Sequence, residues 1–198
     1  MDGDLAEAIS ALKAVFVQRK IATCLERADE ALVRRVRQAL PLPDRYAAFL
    51  REANPVDVET ATPSERIRFV RAEDLVREQI GYGAADKATP ARDGWRKGWI
   101  VVAHSTLLGD PYFLDTTRPD VEGDCPVMTA MNGTDSLRPV LCASSFACFL
   151  RILATAMEVA AGFGSATFDD QDDAIFREAV SPKIKVIDTA ALRAGHWT

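Results

Sequence analysis

His104 is the side chain best suited to proton transfer near neutral pH, and the carboxylates Asp110 and Asp115 follow it closely in the chain. If this segment doubles back as a hairpin, the two acids would flank the imidazole and give it the support a general base needs. The residues favour a plainer reading, in which His104 ends a strand and bonds to a turn. His104 and His196 are the only histidines, and neither has a nucleophile elbow beside it. Ser105 cannot complete a triad, because neighbours on a strand point to opposite faces. No catalytic residue is therefore expected.

Asp110, Asp115, Glu122 and Asp124 are hard oxygen ligands, but their spacing matches no ion-binding loop, and turn or solvated-loop roles account for them. Cys125 with His104 or Cys142 lacks the paired spacing of a zinc site. No glycine-rich phosphate loop occurs, so neither metal nor cofactor is expected. Trp95, Trp99 and Tyr112 could stack a ligand. The better reading packs Trp99 and Tyr112 in a core and leaves Trp95 partly exposed at a loop edge as a candidate contact. The acids Asp169, Asp170, Asp172 and Asp173 suit the N-terminal dipole of a helix, or a patch that meets a basic partner.

These residues need elements to hold them. Trp99 leads the β-branched run Ile100 to Ala103, and Pro111 to Thr116 alternates at period two, which predicts neighbouring strands around a Gly109-Asp110 turn with a bulged entry. Further strands are predicted near 67–70, 126–130 and 137–141, with an Asn132-Gly133 turn between the last two and Pro139 marking an edge or bulged strand. Short turns between sequential strands give a largely antiparallel sheet and an α+β class.

Leu5, Ile9, Leu12 and Phe16 share a helical face, as do Leu32, Val36 and Leu40. Two helices, or one broken near residue 22, are expected, with Thr23 and Glu26 as a capping box. Pro43 can open the next helix, whose stripe is Tyr46, Phe49, Leu50 and Ala53. Leu75, Val76 and Ile80 suggest a short helix closed by Gly81, and residues 83–94 an exposed loop. Ser144 or Ser145 caps a late helix whose polar residues Arg151, Thr155 and Glu158 occupy one narrow line. Its other faces need cover from the N-terminal helix, the C-terminal tail or a second subunit. In the tail, Ile175, Phe176, Ala179 and Val180 mark a short helix, Ile184 and Val186 a strand alternating with Lys183 and Lys185, and Asp188 to Gly195 a last capped turn.

Three segments in order carry a resemblance: Leu42-Pro43-Asp44-Arg45-Tyr46-Ala47-Ala48-Phe49-Leu50, the Trp99 strand with Gly109-Asp110 and Tyr112-Phe113-Leu114-Asp115, and Ser145-Phe146-Ala147-Cys148-Phe149-Leu150. Together they resemble the SUKH superfamily of Smi/Knr-type domains, over roughly residues 28–159. Asn54-Pro55 departs from the pattern, where relatives enter the first strand through glycines. Residues 1–24 and 165–198 then stand as a helical extension and a C-terminal extension of a single domain. The resemblance implies that Pro43, Tyr46, Phe49, Trp99, Gly109, Asp110, Asp115 and Phe146 determine the fold. It also implies a bacterial immunity protein that neutralises a cognate protein toxin, often a nuclease, by stoichiometric contact without a cofactor. The alternatives are a regulatory scaffold and, from the residues alone, a hydrolase built on His104, Asp110 and Asp115. Partner contacts are expected at Trp95, Glu122, Asp124, Asp169, Asp170, Asp172 and Asp173, with the C-terminal helices or tail as the surface of any homodimer.

The totals agree with an ordinary globular chain: 198 residues, 48% apolar, 27% charged. With 29 acidic against 24 basic residues the net charge is −5, which disfavours nucleic acid and suits a basic protein. Unpaired cysteine spacing, no leader pattern and charges interrupting the most apolar stretch predict a cytoplasmic chain without a membrane span.

Overall fold

The computed structural model describes residues 3–21, 24–83, 92–133, 137–163 and 170–198. Helix α1 (Gly3–Gln18) buries Leu5, Ile9, Leu12 and Phe16. It is followed by β1 (Cys24–Glu26), so the break between the first two helices is a strand and Glu26 belongs to it. Thr23 lies outside the described residues. The cap of α2 (Glu30–Ala39) is Asp29, whose carboxylate accepts from Ala31 N at 3.1 Å. Helix α3 (Asp44–Ala53) begins just after Pro43, which occupies the capping position rather than the first helical one. The Asn54-Pro55 departure proves to be β2 (Asn54–Val56), paired antiparallel with β1 in a small separate sheet.

The main sheet has six strands in the spatial order of the chain, each antiparallel to the last. They are β3 (Glu59–Ala61), β4 (Arg66–Phe69), β5 (Trp99–Ser105), β6 (Pro111–Asp115), β7 (Val127–Thr129) and β8 (Val140–Ala143). The predicted strand at 137–141 therefore lies further along, starting after Pro139, whose ring supplies no ladder donor. Strand β8 is an edge, and the register shifts between Val127 and Met128 where it pairs with β7. In β5 a bulge falls between Val101 and Ala103. The predicted short helix is a single 3-10 turn, Arg77–Gln79, with Gly81 beyond it at φ +88°.

Both faces of this sheet are covered. On one, Ile67, Phe69, Ile100, Val102, Tyr112, Leu114 and Val127 join the helices in the main core. Against it lies α4 (Phe146–Ala160), capped by Ser145, whose hydroxyl accepts from Cys148 N at 3.1 Å. Tyr46, Phe49 and Phe146 meet edge to face at 4.8 and 4.9 Å, which locks α3 onto α4. The other face carries Trp99, Val101, Phe113, Met128 and Ala130, with Tyr82, Trp95, Leu137 and Leu141 packed on them. Trp99 and Tyr112, paired in the sequence reading, are thus on opposite faces.

Helix α5 (Asp170–Ile187) runs through Pro182 and continues to Ile187, so the strand predicted at Ile184 and Val186 does not form. Phe176, Val180 and Ile184 recur every four residues and bury one stripe, while Val186 is exposed. Helix α6 (Thr189–Arg193) is capped by Asp188, which accepts from Ala190 N and Ala191 N at 3.0 Å. Asp188 also takes Ser144 N and its hydroxyl, fastening the tail to the turn before α4. Helices α1 and α5 both pack on α4, so the two chain extensions supply cover that the sheet cannot give it. Among the described residues no helix is long and apolar enough to cross a membrane.

Candidate functional site

The hairpin brings His104 opposite Pro111 and Asp115 opposite Trp99, four residues apart along β6. At the rise of a strand that is about 13 Å, too far for a shared proton. His104 Nε2 instead lies 3.2 Å from Glu78 Oε2, and burial lowers its pKa despite that carboxylate. Asp115 accepts from Thr117 N and Oγ1 and from Arg118 Nε at 2.7 Å. Burial pushes its carboxyl up, but those hydrogen bonds outweigh burial and hold it below the usual value. The proposed His104, Asp110 and Asp115 constellation does not assemble.

The oxygen ligands are equally dispersed. Asp110 Oδ1 accepts from Asn132 N at 2.5 Å, and Asn132 Nδ2 donates to the carbonyl of Gly109, tying two hairpin loops together. Gly109 sits at φ +73°, which is why this turn needs glycine. Asp124, expected among exposed contacts, is only 2% exposed. It accepts from Cys125 N, Phe146 N and Ala147 N at 2.7 to 3.1 Å, and so caps α4 from outside that helix. Glu122 keeps an exposed face while pairing with Arg45, a cation itself only 5% exposed. Trp95 is half-buried against Tyr82, Trp99 and Phe113, and its Nε1 donates to the Trp99 carbonyl at 3.3 Å. Asp169 and the side chain of Asp170 lie outside the described residues. Asp173 pairs with Arg177 one turn on, at 2.9 Å.

Asp173 leads to a feature the sequence did not reveal. It lines an open cleft of about 1250 Å³ where the loops at one end of the sheet face the C-terminal helices. At its base Ser105 Oγ donates to Glu65 Oε1 at 2.8 Å and Tyr112 OH donates to Glu65 Oε2 at 3.1 Å. Tyr112 has then spent its proton, so His196 Nε2, at 3.2 Å, must carry one and donate to the phenol oxygen. Burial raises the Glu65 carboxyl above its usual range, opposed by these donors, and holds His196 down at about 4. The imidazole is consequently neutral near pH 7 and supplies no positive charge to Glu65.

Arg177 lines the cleft too, but it is committed to Asp173 and to the carbonyls of His196 and Thr198. At the mouth stand two large apolar side chains, Leu108 at 69% exposure and Met131 at 66%. Glu65 was discoverable in principle: it shares the parity of Ile67 and Phe69, so an acid occupies the core-facing register at the entrance to β4. Asp173 was singled out by its acidic run, whereas His196 and Arg177 belong to the tail, where no pattern announces a site.

The sequence matches the model of the SMI1 / KNR4 family (SUKH-1) over residues 27–152. A comparison with curated proteins gives no match. The chain belongs to the SMI1 / KNR4 family.

Proposed function

We propose that this member of the SMI1 / KNR4 family is an immunity protein, acting in the cytoplasm to bind and neutralise a cognate bacterial toxin of the nuclease kind. The observation that carries the reading is the family match, which spans the six-stranded sheet, α3 and the first two turns of α4. The charge balance supports it: a nuclease needs a positive surface for its substrate, and a chain of net charge −5 is drawn to such a surface. Neutralisation is by contact, with no bond made or broken. Of the contacts proposed from sequence, Asp172, Asp173 and the exposed face of Glu122 remain the better candidates, since Asp124 is engaged in a helix cap and Trp95 in an aromatic cluster.

The test is co-expression with the toxin reading frame beside the gene, scored for cell survival and for co-purification of the two chains. Survival with a stable equimolar complex is expected, and His104→Ala should protect as well as the wild type. Toxicity unrelieved by the wild type would end the immunity reading.

A further inference from the structure

Glu65 and Asp110 both line this cleft; Glu65 is largely withdrawn from water, and burial, with the Asp110 charge nearby, pushes its carboxyl up. Every basic side chain lining the cleft is spent or peripheral. Arg177 is held by Asp173 and two carbonyls, His196 is neutral, and Arg138 is exposed at the rim. Among the described residues neither carboxylate has a cation partner. A second observation points the same way: Ser64 Oγ, on the cleft wall, is buried with no hydrogen-bond partner among the described residues. Glu65 has neutral donors in Ser105 Oγ, Tyr112 OH and Arg66 N, but a cleft that gathers two acids without a cation and leaves a hydroxyl unpaired is suited to a positive charge from outside.

We propose that this cleft receives a lysine or arginine side chain of a protein partner, which pairs with Glu65 and Asp110 while Leu108 and Met131 grip the chain around it. A basic side chain fits on three counts. Its charge relieves the repulsion between the two acids, its several donors can reach Ser64 Oγ as well, and its aliphatic stem suits an apolar mouth. The inference rests on the immunity reading for the identity of the partner, and it names the place where that partner is held. The anchor it predicts is a single desolvated charge ringed by apolar contact, the arrangement in which one residue dominates an interface.

Two measurements separate the inference from the reading it rests on. In the first, amide chemical shifts of the full chain are followed at low salt during titration with tetralysine, and with tetraglutamate as control. Shifts confined to residues 64–65, 105–112 and 129–133 are expected with tetralysine alone. Glu65→Gln and Asp110→Asn should each weaken binding about tenfold, while Glu158→Gln on an exposed part of α4 leaves it unchanged. In the second, an inactivated toxin from the neighbouring reading frame is titrated against the same variants.

Shifts that map elsewhere, or a toxin affinity untouched by both cleft variants, would overturn the cleft and leave the immunity reading standing. The reverse result, tetralysine seated in the cleft but no toxin bound by the wild type, would support the cleft and overturn the immunity reading. Cleft shifts that appear on raising the protein concentration alone would assign the site to a second copy of this chain and overturn the proposal.

Discussion

Two residues of the core show how local chemistry outweighs a residue's apparent character. Asp124 reads as one more acid in a charged connection, yet its carboxylate satisfies three backbone donors, the neighbouring Cys125 N and two at the start of α4, Phe146 N and Ala147 N. Asp124→Ala should cost about 2–4 kcal/mol in urea unfolding, because two helix N–H groups lose a charged acceptor in a buried setting. A loss under about 0.5 kcal/mol would mean that water replaces the cap. Tyr46 is the converse case. Its ring completes the contact with Phe146, but its hydroxyl is buried without a partner among the described residues. Tyr46→Phe should therefore be neutral or stabilising by about 1 kcal/mol.

His196 makes the residue scale visible to pH. The unfolded side chain titrates near 6.5 and the folded one at about 4, so between those values the unfolded state binds more protons. Stability should fall as pH drops through that window and be fully present above it. Glu65, raised by burial, works in the opposite sense above its ordinary value, keeping a proton that the unfolded chain has lost. His196→Gln should flatten the dependence of the melting temperature between pH 6.5 and 4.5; an unchanged slope would show that His196 is charged in the folded state. None of this could be read from residue order, because it depends on a tail residue meeting Tyr112 on β6.

At the scale of elements, β5 is the instructive case. Its existence was legible from Trp99 to Ala103, since a β-branched run followed by a turn glycine states a strand locally, but the bulge expected at the loop entry lies inside the strand, between Val101 and Ala103. What completes the strand was not legible. Beyond the short pairing with β4, the Val101 amide donates to Gln79 Oε1 at 2.9 Å and Gln79 Nε2 donates back to the Val101 carbonyl at 3.0 Å. One side-chain amide thus takes the place of a neighbouring backbone. Gln79→Leu should lower stability by about 2–4 kcal/mol by orphaning both groups, and Gln79→Glu should not rescue it, lacking the donor. Thermal melting of the pair of variants decides this.

Helix α5 failed in the sequence for a physical reason. Pro182 and the alternating lysines after it imitate a strand, whereas burial of Phe176, Val180 and Ile184 against α4 and α6 carries the helix past the missing donor. The four-residue spacing was the signal available, and tertiary packing made it count.

For the whole molecule, the chain order of the strands made the α+β sheet predictable, because a meander needs only short turns and no crossover. The division of labour between the extensions was not predictable from α4 alone, whose apolar circumference demands cover without saying whose. Removing residues 1–21 should expose the α4 surface that Leu5, Ile9, Leu12 and Phe16 bury, giving self-association in light scattering. A truncated chain that stays monomeric and fully folded would show that α1 is dispensable cover.

The sheet's two coats are unequal in kind: packed helices on one side, loop-borne aromatics on the other. Trp95 and Trp99 report on the second coat and Trp197, donating to the Cys142 carbonyl at 2.7 Å, on the edge strand under the first. Native-state hydrogen exchange and tryptophan emission can therefore watch each side by itself. The loop-borne side has fewer apolar neighbours to lose and should undergo subglobal opening first, exposing the β5–β6 hairpin from behind while the helical side stays shut.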